Sequence, residues 1–368
     1  LTIDVHQLLE DRQIDVIIEL VGGCEPARSF IAQALSNRKH VVTANKVVMA
    51  RHGAELLELG VASLVELYFE AAVGGGIPLI GTLRGDLAAN RIQRVMAIIN
   101  GTTNHMLTQM ASQGLSFTAA LRAAQAAGYA EADPTEDVEG HDAASKLAII
   151  ASIAFAAQVF SSEVYIEGIT QLDSIDFQYA RELGYAIKLL AYANCSEREI
   201  EARVHPCMIS RSHPLAMVDG VTNAVFIEGD LVGEVLLQGP GAGGRPTTSS
   251  VIGDLITLVR SISRGPSQHH DLGFTETRIR PMAEVMTRAY FRCAVADRPG
   301  VLAQICTVFG EEGVSIAGAN QREVNECQGR AELIVVTHAA SDGALQLTRK
   351  RISELAVVDE VSSFVRML

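Results

Sequence analysis

The sequence IDVIIELVGG, residues 14–23, is a short apolar run that ends in two glycines, as a buried parallel strand does. Helical spacing follows from Pro26 to Leu35, and HVVTA, residues 40–44, predicts a second strand. Strand, helix and strand in this order imply a right-handed crossover in a doubly wound sheet. Such sheets bind ligands at the carboxyl ends of their strands, which are here Val21-Gly22-Gly23 and Thr43-Ala44-Asn45-Lys46.

A dinucleotide-binding sheet normally opens with a strand followed by G-x-G-x-x-G, and no such motif precedes residue 14. We therefore expect the first strand and helix of this domain to lie outside the sequence. Residues 1–63 are interpreted as the remainder of a partial Rossmann-type domain that binds NAD or NADP.

From about residue 64 the pattern changes to that of an α+β domain built on an open sheet, which we place at 64–264. Gly, Pro and paired His predict a linker over 265–286, and residues 287–368 have the order βαββαβ of a ferredoxin-like module. In the middle domain the predicted strands are 64–72 and 91–99, with a β-rich region over 199–238; the predicted helices are 104–113, 117–127, 141–160, 176–193 and 249–263.

Composition excludes several classes of protein. The net charge of −13 argues against nucleic acid or an anionic membrane surface as a partner. The longest apolar run, 147–157, is too short to span a membrane. Six scattered cysteines without a CxxC pattern, and an N-terminus unlike a signal peptide, predict a cytoplasmic location.

The stretch GYAEADPTEDVEGHDAASK, residues 128–146, contains six carboxylates and one lysine before an apolar helix. Asp142 and Lys146 are four residues apart and therefore share one helix face. A lysine entering an apolar helix needs a partner, and Asp142 is the nearest candidate. The alternative is a solvated acidic loop leading into an ordinary helix start.

Two other segments favour a binding site. Lys46 lies in the first turn of a predicted helix, where the helix dipole disfavours a positive charge. Asn100-Gly101-Thr102-Thr103-Asn104 follows a predicted strand and offers hydroxyl, amide and N–H groups to an anion. Capping of the next helix by Thr102 or Thr103 is the alternative, and we expect both roles together.

These three segments, in this order, resemble those of homoserine dehydrogenases. AVGGGIP (72–78), HPLA (213–216) with VTNA (221–224), and GPGAGG (239–244) are further matches. The resemblance implies reversible reduction of L-aspartate 4-semialdehyde to L-homoserine by NAD(P)H, in threonine, methionine and isoleucine biosynthesis. It implies Lys146 and Lys46 as catalytic residues, and Glu131 and Asp142 as substrate ligands, with Asp137 a further candidate. For the cofactor it implies Val21, Gly22, Thr43, Lys46, Asn100 and Gly241.

The resemblance also implies a monovalent cation, usually sodium, held by Glu70 and by backbone carbonyls of Val73, Gly75 and Ile77. A glycine-rich turn without an ion is the alternative. The C-terminal module, with DRPGVL at 297–302, is similar to an ACT domain.

An ACT domain implies threonine as a possible inhibitor, bound near the 297–301 turn with Gly318 and Asn320 opposite. A module used only for assembly is the alternative. The apolar strands of the middle domain favour a homo-oligomer, a dimer or a tetramer. A catalytically impaired amino-acid sensor that uses the ACT module is the second functional interpretation.

Overall fold

A computed structural model of the chain describes residues 1–196, 199–264, 274–275, 277–325 and 329–368. The N-terminal part is a parallel three-stranded sheet, ordered β1-β2-β3, with helices between its strands. Its elements are α1 (Val5–Glu10), β1 (Val16–Glu19), α2 (Ala27–Ser36), β2 (His40–Thr43), α3 (Lys46–Ser63) and β3 (Leu67–Tyr68). The predicted strand–helix–strand unit is confirmed, with β1 shorter than its apolar run.

The strand predicted over 64–72 is wrong in most of its length. Leu64 ends α3 in the left-handed conformation, and Glu70–Ala72 forms a 3-10 turn, which leaves only Leu67–Tyr68 extended. Because β3 pairs with β2, the N-terminal sheet continues beyond residue 63, where we placed the end of that domain.

The middle part is a mostly antiparallel sheet, ordered β7-β6-β4-β8-β9, with helices packed against it. Its elements are β4 (Ile92–Ile98), α4 (Gly101–Gln113), α5 (Phe117–Ala126), α6 (Thr135–Val138), α7 (His141–Phe155), β5 (Tyr165–Ile166), α8 (Ser174–Glu182), β6 (Tyr185–Ser196), β7 (Glu199–Ser210), β8 (Thr222–Gly229), β9 (Gly233–Pro240) and α9 (Gly244–Arg264). The helix predicted over 176–193 is therefore wrong after Glu182, because the long strand β6 begins at Tyr185.

The C-terminal part has the predicted βαββαβ order, with its main strands arranged β12-β13-β11-β15. Residues 316–325 form one continuous strand of this module. Of the expected linker, residues 265–273 and 276 lie outside the described residues. The elements are β10 (Arg278–Ile279), β11 (Met286–Ala296), α10 (Val301–Glu311), β12 (Ile316–Asn325), β13 (Arg330–Thr337), β14 (Ala340–Ser341), α11 (Asp342–Ser353) and β15 (Val358–Met367).

One sheet runs through the middle and C-terminal parts, because β15 pairs in parallel with β7. Arg366 of β15 is almost completely buried at this junction. Its guanidinium donates to Asp342 at 2.7 Å, to Glu167 at 2.6 Å and to the Tyr165 hydroxyl at 3.0 Å. Charge-assisted bonds thus join the two parts beyond the strand pairing.

A second buried arginine ties the C-terminal module to α8. Arg292 of β11 donates to Asp176 at 2.7 Å and to Glu332 at 3.0 Å. The helix α8 in turn packs against α4, so the C-terminal module is connected to the helix that follows Asn100.

No described helix is both long enough and apolar enough to span a lipid bilayer.

Candidate active site

The carboxyl ends of β1 and β2 are joined by a buried carboxylate, Glu19. One of its oxygens accepts the Val21 N–H at 2.7 Å and the other accepts the Thr43 hydroxyl at 2.6 Å. These bonds hold the backbone in place where the chain leaves β1 and β2. Glu19 was not predicted, although a carboxylate between apolar residues near the end of the run IDVIIELV was a signal for it.

The loop after β1 presents its backbone to solvent beside these strand ends. Gly22 and Gly23 have φ of +79° and +72°, which only glycine adopts readily, and a Cβ on Gly22 would meet open space. Asn45 holds the loop to the start of α3, since its amide donates to the Gly23 carbonyl at 2.8 Å. Val21 is 61% exposed. The open loop and this apolar side chain lie at the strand ends, where a dinucleotide would bind. These residues fit a nicotinamide cofactor.

Asp142 is the centre of a charged cluster that lies next to this sheet. It is buried in the first turn of α7, and one of its oxygens accepts from Lys146 at 2.6 Å. Its other oxygen accepts from Lys46, the first residue of α3. The predicted pair of Asp142 and Lys146 is therefore present, and Lys46 joins it from the N-terminal domain.

The two ammonium groups determine the charge state of Asp142. Burial alone would raise its pKa, but the charges of Lys146 and Lys46 outweigh burial and lower the pKa to about 2. Asp142 is therefore an anion at neutral pH and keeps both lysines oriented.

Lys146 has a donor left for a ligand. Its ammonium group has three N–H bonds, of which one is directed to Asp142 and another to the Ile99 carbonyl at 2.9 Å. Its side chain is 13% exposed, while that of Lys46 is 40% exposed. A small molecule beside the cluster can reach both ammonium groups.

Asn100 connects two of the predicted carboxylates. Its amide nitrogen donates to Asp137 at 2.7 Å and to Asp142 at 2.9 Å, and its amide oxygen accepts from the Thr103 N–H. The cap of α4 is therefore Asn100, and the expectation of Thr102 or Thr103 as the cap is wrong. The cofactor contact expected of Asn100 stays a prediction.

The remaining polar groups of the NGTTN segment are used internally. Thr102 donates to the Tyr129 carbonyl at 2.7 Å, and Asn104 donates to carbonyls of the 218–222 loop. The side chains therefore hold the walls of the site together, and the anion-binding role expected of them has no support in these contacts.

Glu131 differs from the other predicted substrate ligands. It is exposed, and its carboxylate has no hydrogen-bond or ion-pair partner among the described residues. The Gln125 side chain holds its backbone, by donating to the Glu131 carbonyl at 3.0 Å. Its role stays a prediction, as does that of Asp137.

The glycine turn expected to hold a cation is packed against a second glycine loop. A Cβ on Gly75 would approach Gly241 to 2.5 Å, and a Cβ on Gly241 would overlap the Asn223 side chain. Gly241 thus lies against this turn, and its expected contact with the cofactor stays a prediction.

The carboxylate of Glu70 closes the loop that follows the glycine turn. Its oxygens accept the N–H groups of Leu79, Ile80 and Gly81 at 2.6–2.8 Å. The Gly75 carbonyl accepts the Ser250 hydroxyl at 2.6 Å. The cation-binding role expected of Glu70 and of the carbonyls of Val73, Gly75 and Ile77 stays a prediction. Across the described residues, no group of three or more His, Cys, Asp or Glu side chains is placed to hold a metal ion.

A parallel dinucleotide-type sheet beside a lysine–aspartate–lysine cluster defines a nicotinamide-dependent oxidoreductase. Comparison with protein families agrees: residues 1–70 match "Homoserine dehydrogenase, NAD binding domain", residues 78–256 match "Homoserine dehydrogenase", and residues 289–357 match "ACT domain". The chain belongs to the homoserine dehydrogenase family.

Relatives resemble the chain over its whole length. It is 43% identical to the homoserine dehydrogenases of Synechocystis sp. and Corynebacterium glutamicum, with 100% of this chain and 87% and 83% of theirs covered. A crystal structure of a homoserine dehydrogenase from Thiobacillus denitrificans superposes with a TM-score of 0.94 at 41% identity, covering 100% of this chain and 85% of that one. A hyperthermophilic archaeal homoserine dehydrogenase in complex with NADPH has a TM-score of 0.62 at 30% identity, covering 71% and 76%.

Proposed function

We propose that the chain reversibly reduces L-aspartate 4-semialdehyde to L-homoserine with NAD(P)H, in threonine, methionine and isoleucine biosynthesis. The observation that carries the proposal is the convergence of Lys46 and Lys146 on Asp142, beside the ligand end of the parallel sheet. This arrangement favours an enzyme over the catalytically impaired sensor, because a protein that only bound an effector through its ACT module would not need it.

Lys146 is the proposed proton donor. The bound cofactor supplies a hydride, with its electron pair, to the aldehyde carbon. As the C=O π bond breaks, negative charge develops on the oxygen, and the free N–H of Lys146 stabilises it and then transfers a proton. In homoserine oxidation the same amine accepts that proton.

Lys46 and Asp142 have supporting roles. Asp142 accepts from both lysines and from Asn100, so orienting the ammonium groups is its principal role, and direct contact with substrate is a second one. Lys46 extends from the cofactor domain and is proposed to lie between cofactor and substrate. Glu131 and Asp137 are the proposed acceptors for the substrate ammonium group.

Replacing Lys146 tests the mechanism. Lys146→Ala should lower kcat for homoserine oxidation by ~10²–10³-fold, since a proton donor and a charge on the developing alkoxide are both lost. Absorbance of the reduced nicotinamide measures the rate. Lys350→Ala, which changes an exposed lysine in α11, is the matched control and should retain full activity. Full turnover by Lys146→Ala would contradict the mechanism.

Feedback inhibition by threonine is a further part of the proposal. Gln321 of β12 donates to Asp297 at 3.0 Å, which holds the 297–301 turn beside the strand that carries Gly318 and Asn320. Threonine that inhibits must also bind more weakly when substrate and cofactor are present, because coupling between two sites is reciprocal. Activity that is unchanged in millimolar threonine would instead favour a module used only for assembly.

A bound cation and an oligomer are the last two parts of the proposal. A cation at 73–77 would take backbone carbonyls, which suit a hard ion, and activity that rises with sodium but not with choline would support it. A dimer or a tetramer is proposed because β9 leaves Leu236 of the long sheet partly exposed at its edge. Analytical ultracentrifugation gives the oligomeric state directly, and a monomer would exclude this proposal.

A further inference from the structure

A cavity of about 880 Å³ opens at the edge of β3, between α3 and α9. It lies away from the cluster around Asp142, none of whose residues line it. Its walls are partly apolar, with Leu57, Val61, Leu67 and Phe69 among them. Its volume falls in the range of cavities that hold small molecules.

Arg84 faces this cavity. It lies in the short π-helical turn Thr82–Asp86, and its half-buried guanidinium makes no hydrogen bond or ion pair with any described residue. Burial lowers its pKa, although nearby anionic groups oppose that change. A guanidinium held partly out of water with its donors unused favours a carboxylate ligand, which it can bind through two parallel hydrogen bonds.

Asp254 of α9 lines the same cavity and is a carboxyl group, whose ionised form has the charge opposite to that of Arg84. One of its oxygens accepts the Glu70 N–H at 2.9 Å, and its other oxygen accepts from no described residue. Burial raises its pKa to about 7, and the negative charge of Glu70 adds to this effect while Arg84 opposes it. The other titratable groups that line the cavity, in the part of the chain that the structure describes, are Glu58, Glu66, Glu70 and Tyr68.

From these features we infer that the cavity is a second small-molecule site that binds an α-amino acid with an apolar side chain. Arg84 takes the carboxylate, Asp254 takes the ammonium group, and the apolar wall of Leu57, Val61 and Phe69 takes the side chain. Neither the proposed dehydrogenase reaction nor the ACT module uses these residues, so this site can be tested separately from both.

Three probes of one shape separate the two charged contacts. L-leucine has both charges, 4-methylpentanoate lacks the ammonium group, and 3-methylbutylamine lacks the carboxylate. Isothermal titration of the purified chain should show leucine binding more tightly than either fragment at about pH 8. At about pH 6 leucine should bind up to about tenfold more weakly, since a carboxyl group with a pKa of about 7 is then mostly protonated, while 4-methylpentanoate should bind equally at both pH values.

Variants assign the contacts. Arg84→Gln should weaken leucine and 4-methylpentanoate by about tenfold or more and leave 3-methylbutylamine unchanged. Asp254→Asn should weaken leucine and abolish the pH dependence. Arg91→Gln, at a side chain that is 86% exposed and outside the cavity, is the matched control and should bind as the unaltered chain does.

Either of two results would overturn the inference. One is no heat of binding for leucine at millimolar concentration. The other is equal leucine binding by the unaltered chain and by Arg84→Gln, which would assign the binding to another part of the molecule such as the ACT module. Circular dichroism of each variant confirms that it is folded.

Discussion

Replacing Asp142 by asparagine should destabilise the folded chain by about 2–3 kcal/mol at neutral pH. The magnitude follows from the pKa of Asp142, which two lysines lower from its ordinary 3.8 to about 2. A pKa that differs by one between the folded and unfolded states changes the free energy of unfolding by about 1.4 kcal/mol. Because Asp142 is buried, solvent screening does not reduce this value as it does at the surface.

The direction in which folding changes the pKa of Asp142 determines how the stability depends on pH. Since folding lowers the pKa, the ionised carboxylate stabilises the folded state at every pH above its unfolded value near 3.8. That contribution is lost as the pH falls through about 2. The difference between Asp142→Asn and the unaltered chain should therefore stay constant between about pH 8 and about pH 5.

Urea unfolding followed by circular dichroism measures the effect. Asp142→Asn should lower the midpoint of the transition that includes α7 without changing its slope with urea. Glu136→Gln, which removes a nearby exposed carboxylate that has no partner among the described residues, is the matched control and should change stability by less than about 0.5 kcal/mol.

An Asp142→Asn variant as stable as the unaltered chain would contradict this prediction. Burying a carboxylate costs free energy, and two ammonium groups repay it only when the geometry is good. Equal stability would mean that desolvation of Asp142 cancels its attraction to Lys46 and Lys146.

Three other variants examine neighbouring contacts. Asn100→Ser keeps an oxygen that can cap α4 but loses the amide that binds Asp137 and Asp142. The kcat should therefore fall about tenfold or more, while thermal stability changes by less than about 1 kcal/mol. A large loss of stability with normal kcat would contradict this. Glu131→Gln should raise KM for homoserine about tenfold with little change in urea stability, and an unchanged KM would remove Glu131 from the substrate site. Arg366→Met should lower the free energy of thermal unfolding by about 3–5 kcal/mol, because Asp342 and Glu167 lose their buried partner. Arg330→Met removes an exposed pair with Asp359 and is the control. Equal effects of the two variants would contradict this prediction.

The sequence predicted most of the architecture because its elements have clear local signals. The apolar run before Gly22, the strand before Lys46 and the βαββαβ order after residue 287 all have the predicted form. The pair of Asp142 and Lys146 was predictable for the same reason, since a separation of four residues on one helix fixes their proximity.

The error at β6 has a physical cause. Ile187 and Leu189 pack into the main core on one face of the sheet, while Leu190 and Tyr192 pack into a separate core on the other. A strand that is buried on both faces loses the alternation of apolar and polar residues, so its sequence cannot be told from a buried helix by periodicity.

Contacts between distant segments could not be predicted. Glu19 meets Thr43, Glu70 meets the amides of 79–81, and Arg366 meets Glu167 only after the sheets have formed. The cavity beside Arg84 depends on the approach of α3 and α9, which no local pattern specifies.

The two lysines that contact Asp142 would respond differently to a movement of the domains. Lys146 and Asp142 are one turn apart on the same helix, so their bond survives any hinge motion that leaves α7 intact. Lys46 belongs to α3 and reaches Asp142 across the boundary between domains. Movement of α3 away from α7 would therefore withdraw one positive charge from Asp142 and leave the other in place, so the positive charge around this carboxylate would depend on the arrangement of the two domains.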